Sequence, residues 1–155
     1  MIDLHRILVP TDFSKFSDNA IKYAVAFAEK FSAELIVLHV VQDMALFIPE
    51  AVLMTPVMTP PVEQFAAAAR AALEKVVKDM NLTGLKVQTE VTQGVPFNEI
   101  VRMARTKNVD LIVMGTHGHT GLAHMLLGSV AEKVVRKAPC PVLTVRHPEH
   151  EFVHP

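Results

Sequence analysis

Gly115-Thr116-His117-Gly118, nine further residues, and then Gly128-Ser129 form the part of this chain best suited to chemistry. Glycines at the end of a strand let the backbone turn tightly and approach a ligand closely. A helix starting just beyond them presents free amides and a positive dipole end. The apolar run Val109 to Met114 precedes the motif, and a stretch with helical spacing, Val130 to Lys137, follows it. Together they describe a phosphate cradle, with the amides of Ser129, Val130 and Ala131 as donors.

Two further kinds of residue carry candidate chemistry. Asp12 follows the first apolar run and Pro10-Thr11, and it is the carboxylate nearest that end. It reads as an acceptor for a ribose hydroxyl or a ligand for a phosphate-bound divalent cation; it also reads as a turn or cap residue. Ser129 and Glu132 have the spacing of a capping box, which competes with the anion for the serine oxygen. His117 and His119 lie inside the glycine loop, with His124 beyond. They read as phosphate contacts, metal ligands or exposed loop positions, though no Cys or carboxylate stands at zinc-like spacing. His39, on an apolar run, reads as a hydrogen-bonded core histidine.

Other constellations are missing from the pattern. No Gly-Lys-Ser/Thr ends the motif as in a P-loop, and no tight G-x-G pair marks a dinucleotide fingerprint. No Ser-His-Asp order and no paired carboxylates suggest hydrolysis. The net charge of −1, with no basic stripe and no Trp, gives no reason to expect nucleic acid as a partner. No apolar run reaches membrane-spanning length, and the N-terminus lacks a signal-peptide pattern. The single Cys140 lies between two prolines, cannot form an internal disulfide, and reads as an inert thiol. A cytoplasmic protein is the expectation.

The elements that must position these residues are legible from periodicity. Arg6 to Val9 reads as a buried strand, and Thr11 to Ser14 as the turn opening a helix whose apolar face is Ala20, Ala24, Phe27, Ala28 and Phe31. Glu34 to Val41 is a continuous apolar run, as in a strand covered on both faces. Residues 43–61 hold four prolines and read as a long loop. Val62, Phe65, Ala66, Ala69, Ala72, Leu73, Val76, Val77 and Met80 mark an amphipathic helix, ended by Asn81 to Gly84. Leu85 to Val91 alternates with period two, as in a half-exposed edge strand. Pro96 opens a helix carrying Phe97, Ile100, Val101 and Ala104. Asp110 to Met114 leads into the motif, a last helix runs from Val130 to Ala138, and Val142 to Val145 is the last strand.

Alternating strands and helices predict one α/β domain over residues 1–146, with a parallel sheet and a polar tail at 147–155. Ligands in such sheets sit beyond the carboxyl ends of strands, where strand order reverses. If the fourth strand returns beside the first, Asp12 and Gly115 converge on one crevice.

These residues resemble the universal stress protein family, whose nucleotide-binding members carry G-x2-G-x9-G-[S/T] after the fourth strand. Gly115, Gly118, Gly128 and Ser129 match every fixed position. Ile7 to Ser14, Leu38-His39-Val40 and Cys140 to Leu143 resemble the first, second and last strands of the family. The resemblance implies a three-layer α/β/α fold with a five-stranded sheet in order 3-2-1-4-5, Rossmann-like and adenine nucleotide alpha hydrolase-like. It implies ATP, with Mg or Mn on the phosphates, and leaves AMP and ADP open. Adenine would lie near Pro10 and the backbone of Val40. Ribose would meet Asp12 and the segment Gly115 to Gly121, and the phosphates Gly128, Ser129, Val130 and Ala131. It also implies a homodimer through Val142 to Val145, an edge strand otherwise left unpaired. A regulatory ATP-binding protein that switches a protein partner is the first reading. A slow ATPase or phosphotransferase and a structural dimer without nucleotide are the alternatives; the sequence shows no obvious general base or arginine finger.

Overall fold

The computed structural model describes residues 2–42, 62–80, 82, 84–118 and 127–146. The expected loop at 43–61, Asn81, His119, Gly121, His124 and the tail at 147–155 lie outside the described residues.

Five strands form one parallel sheet: β1 (Arg6–Pro10), β2 (Glu34–Gln42), β3 (Val87–Gly94), β4 (Leu111–Gly115) and β5 (Val142–Val145), in the order β3-β2-β1-β4-β5. The helices are α1 (Lys15–Phe31), α2 (Val62–Asp79), α3 (Pro96–Thr106) and α4 (Ser129–Lys137). Period-two alternation sorts the strand side chains to two faces. Ile7, Val9, Leu35, Val37, Leu111 and Val113 pack with Ala20, Ala24, Ala28 and Leu73 of α1 and α2. Leu8, Ile36, Leu38, Ile112 and Met114 pack with Ile100, Met103, Ala131 and Val134 of α3 and α4. Three layers result, with the central strands buried on both faces, which is why they read as unbroken apolar runs.

Local chemistry sets the element ends. Ser14 caps α1 by accepting from the Ser17 nitrogen, and Ser32 closes it at φ 53°. Pro96 is the first residue of α3, where its missing N–H costs nothing. β3 is an edge strand as expected, yet it starts at Val87 rather than Leu85. The Leu85 nitrogen instead donates to the Leu82 carbonyl in a turn. Phe65, expected on the apolar face of α2, stands exposed.

The amino ends of the strands carry an ionic cluster. Asp110 accepts from the nitrogens of His5 and Arg6, each at 2.8 Å, joining the start of β1 to the start of β4. Buried Glu34 pairs with Arg6 at 3.3 Å and Lys86 at 3.1 Å. Burial raises the Glu34 carboxyl, but Lys86 and Arg6 outweigh it and hold the group below the usual glutamate range. A depressed carboxylate contributes stability above its unfolded pKa and loses it as pH falls through the folded value. Glu34→Gln is therefore expected to cost about 1 kcal/mol at neutral pH, with the gap to wild type closing in acid. Urea melts across that pH range check the convergence.

Candidate nucleotide cleft at the sheet reversal

β1 stops before its neighbours do. Its last pair with β2 is Pro10↔Leu38, while β2 continues beside β3 to Gln42↔Gly94. With β4 it pairs only at Ile7↔Leu111 and Leu8↔Ile112 among the described residues. The sheet thus opens where its order reverses, the place where α/β sheets seat ligands. A cleft of about 230 Å³ lies there, approaching the size of small-molecule pockets at about 300 Å³ and above.

The first wall is the turn after β1. Thr11 donates its nitrogen to the Leu38 carbonyl at 2.8 Å, and its buried hydroxyl meets Ser17 Oγ at 2.9 Å. That hydroxyl also accepts from the Phe13 nitrogen at 3.0 Å, holding Phe13 at φ 63°, a left-handed conformation uncommon for a bulky residue. Asp12 Oδ1 accepts from the nitrogen of Ser14 at 3.0 Å and from its hydroxyl. This is an Asx turn, so the turn reading of Asp12 holds for one oxygen. The other oxygen, Oδ2, lies 2.5 Å from where a β-carbon on Gly118 would stand. The carboxylate therefore reaches across the cleft to the glycine motif.

The second wall is the motif itself. Thr116 donates to the Val145 carbonyl at 3.0 Å and accepts from the Gly128 nitrogen at 2.7 Å. The start of α4 is thereby pinned to the end of β4. A β-carbon on Gly128 would stand 3.1 Å from the Thr116 oxygen, and one on Gly115 3.1 Å from the Phe16 oxygen. None of the three motif glycines has positive φ; close packing, not backbone conformation, selects glycine here. Gly128, which the resemblance places beside the phosphates, has its amide already bonded to Thr116, so Gly128 contributes shape.

The capping box is not formed. Gly128 is the N-cap of α4, no side chain caps it, and Ser129 is the first helical residue. The bond from Gly128 to Thr116 sets the helix start one residue before the box requires. Glu132 instead pairs with Arg136 at 3.0 Å. Ser129 is left exposed on the cleft, and its hydroxyl has no capping duty. The first intrahelical bond is Glu132 nitrogen to Gly128 oxygen. The amides of Ser129, Val130 and Ala131 precede it and have no carbonyl within the helix.

His117 is buried, which overturns its reading as an exposed loop position; its Nδ1 lies 3.0 Å from Thr116 Oγ1. No group of three His, Cys, Asp or Glu stands at metal-holding distance among the described residues. The Cys140 thiol is half-buried and pushed up by burial and by the charge of Asp110, in line with an inert thiol.

The cleft brings together Pro10, Thr11, Asp12, Val40, Gly115, Thr116, His117, Gly118, Gly128, Ser129, Val130 and Ala131. Sequence reading missed Ser17, Leu38, Gln42, Pro96, Ile100 and Met114, and placed His39 in the core alone. The carboxyl-end positions of the strands were the available signal. Val40 has a main-chain reason to be there. Glu34 donates to β1 and Leu35 to β3, so even-numbered residues of β2 turn their backbone toward β1. At Val40 β1 has already left the sheet.

A five-stranded parallel sheet between two helical layers, open at its order reversal, defines a Rossmann-like α/β protein. The family model of universal stress proteins matches residues 4–146. The chain belongs to that family. It is 43% identical over 154 residues to Universal stress protein MJ0531 of Methanocaldococcus jannaschii, covering 94% of this chain and 84% of that one. The solved structure of hypothetical protein MJ0577 from the same organism superposes with a TM-score of 0.80 at 34% identity, over 96% of this chain and 99% of that one. Universal stress protein UspA from Lactobacillus plantarum gives a TM-score of 0.81 at 31% identity, over 94% and 100%.

The glycine contacts predict opposite behaviour for two small changes. At Gly118 the obstacle is the tip of a side chain, which can move, so Gly118→Ala is expected to leave stability nearly unchanged while displacing Asp12. At Gly128 the obstacle is backbone, and Gly128→Ala is expected to cost about 1–3 kcal/mol. Denaturant melts of both variants read the difference.

Proposed function

We propose that the cleft binds an adenine nucleotide, ATP first and AMP or ADP as lesser ligands, and that binding regulates a protein partner in the cytoplasm. The observation that carries this is the convergence of Asp12, the motif glycines and the amides at the start of α4, which have no carbonyl partner within the helix, on one opening. Apolar Pro10, Leu38, Ile100 and Met114 suit a base, and the outward backbone of Val40 suits its polar edge. Asp12 suits a ribose hydroxyl. Three helix-start amides and the Ser129 hydroxyl suit phosphates. A Mg or Mn ion would take Asp12 as its protein ligand and fill its shell from phosphate and water. No helix among the described residues is long and apolar enough to cross a membrane.

Universal stress proteins have been solved in complex with cAMP, and from Archaeoglobus fulgidus with dAMP. At 24% and 20% identity these extend the fold to this chain and no more. The ligand class rests on the cleft. Mass spectrometry of nucleotide released by denaturing freshly purified protein tests it directly. Gly118→Val and Gly128→Val are expected to abolish ATP binding in calorimetry; wild-type affinity in both defeats the proposal.

The same reading includes a homodimer through β5. Pro141 and Val145 carbonyls accept from β4, so by period two Val142 and Thr144 turn their backbone groups to the open edge. Thr144→Pro removes an outward N–H and leaves the β4 ladder intact. A shift from dimer to monomer in light scattering, with the melting temperature nearly kept, is the expected result.

A further inference from the structure

His39 is more than a core histidine. It follows the last β1–β2 pair, and its ring stacks on Phe13 at 4.4 Å between centroids. Its Nδ1 lies 2.8 Å from the Thr11 carbonyl oxygen. A carbonyl only accepts, so Nδ1 carries the hydrogen. That carbonyl belongs to the peptide that joins Thr11 to Asp12. Holding it fixes the plane from which the Asp12 side chain hangs.

The same bond changes what the strand ladder does next. The Thr11 nitrogen donates to Leu38, and the following rung of a parallel ladder would run from the Val40 nitrogen to the Thr11 oxygen. That backbone bond is not among those formed; the oxygen takes the imidazole hydrogen instead. A side chain has replaced a rung. The replacement ends β1 early and leaves the Val40 amide facing the cleft.

We infer that His39 is a positioning residue for the cleft: by occupying the Thr11 carbonyl it keeps the Val40 amide open to a ligand and holds Asp12 aimed at Gly118. This rests on the reading of the cleft as a nucleotide site for its effect on binding, but not for its effect on the free protein. Without the imidazole donor, the Thr11 oxygen is available to the Val40 nitrogen and the wall of the cleft zips shut by one rung.

The test uses three variants of the full chain. His39→Asn offers an amide N–H near the position of Nδ1, whereas His39→Gln carries its amide one methylene further and His39→Leu has no donor. In the ligand-free protein, nitrogen NMR is expected to find the Nδ1–H tautomer. Amide exchange at Val40 is expected to slow at least tenfold in His39→Leu and to stay within about threefold of wild type in His39→Asn. Exchange at Ser14, whose amide reports the Asp12 turn, should quicken in His39→Leu alone or with His39→Gln. With Mg-ATP as the probe, affinity should fall about tenfold in His39→Leu and His39→Gln and recover in His39→Asn. An Nε2–H tautomer, or unchanged Val40 and Ser14 exchange in His39→Leu, overturns the inference. So does equal loss in His39→Asn and His39→Leu, which marks a packing role only. If wild type binds no ATP, the nucleotide reading fails while the exchange data still decide the role of His39.

Discussion

The hydrogen bond from the Gly128 nitrogen to the Thr116 oxygen, 2.7 Å long, ties the start of one helix to the end of one strand. The cleft takes its shape from that tie. It places the first turn of α4 over the mouth of the sheet and sets Gly128, rather than Ser129, as the last residue before the helix. The residues that follow, Ser129 to Ala131, then line the opening of the sheet. A side chain on Gly128 would press on the same Thr116 oxygen, so the tie and the glycine are one requirement.

The ionic cluster and the cleft lie at opposite ends of the strands. At the amino ends, Glu34 pairs with Arg6 and Lys86, and Asp110 accepts from the backbone of His5 and Arg6. At the carboxyl ends, β1 stops early and polar groups are held by short-range turns. Thr11, Ser14 and Ser17 form a chain of hydroxyl bonds that orders the turn around Asp12. A turn ordered in this way would spare the proposed site the ordering cost that a flexible one carries on binding.

Fold class and most element boundaries were legible because buried parallel strands are apolar throughout and the helices keep a strict period; the strand order came from the family resemblance. The first three β2 positions beyond Pro10's partner, His39 to Val41, show where that legibility ends. Periodicity places His39 on an inward face; it says nothing about a ring nitrogen taking over a backbone rung. The serine and glutamate of the last helix show the same limit. Their spacing fits a capping box, and the bond from Gly128 to Thr116, twelve positions earlier, overrides it.

Residue types and spacing thus specified which segments are strands, which are helices, and which glycines sit at their ends, because those choices depend on neighbours within a few residues. Which groups meet across the cleft depends on where β1 leaves the sheet and how α4 is tied to β4. Those are contacts between segments far apart in the chain, and local pattern carries no record of their geometry.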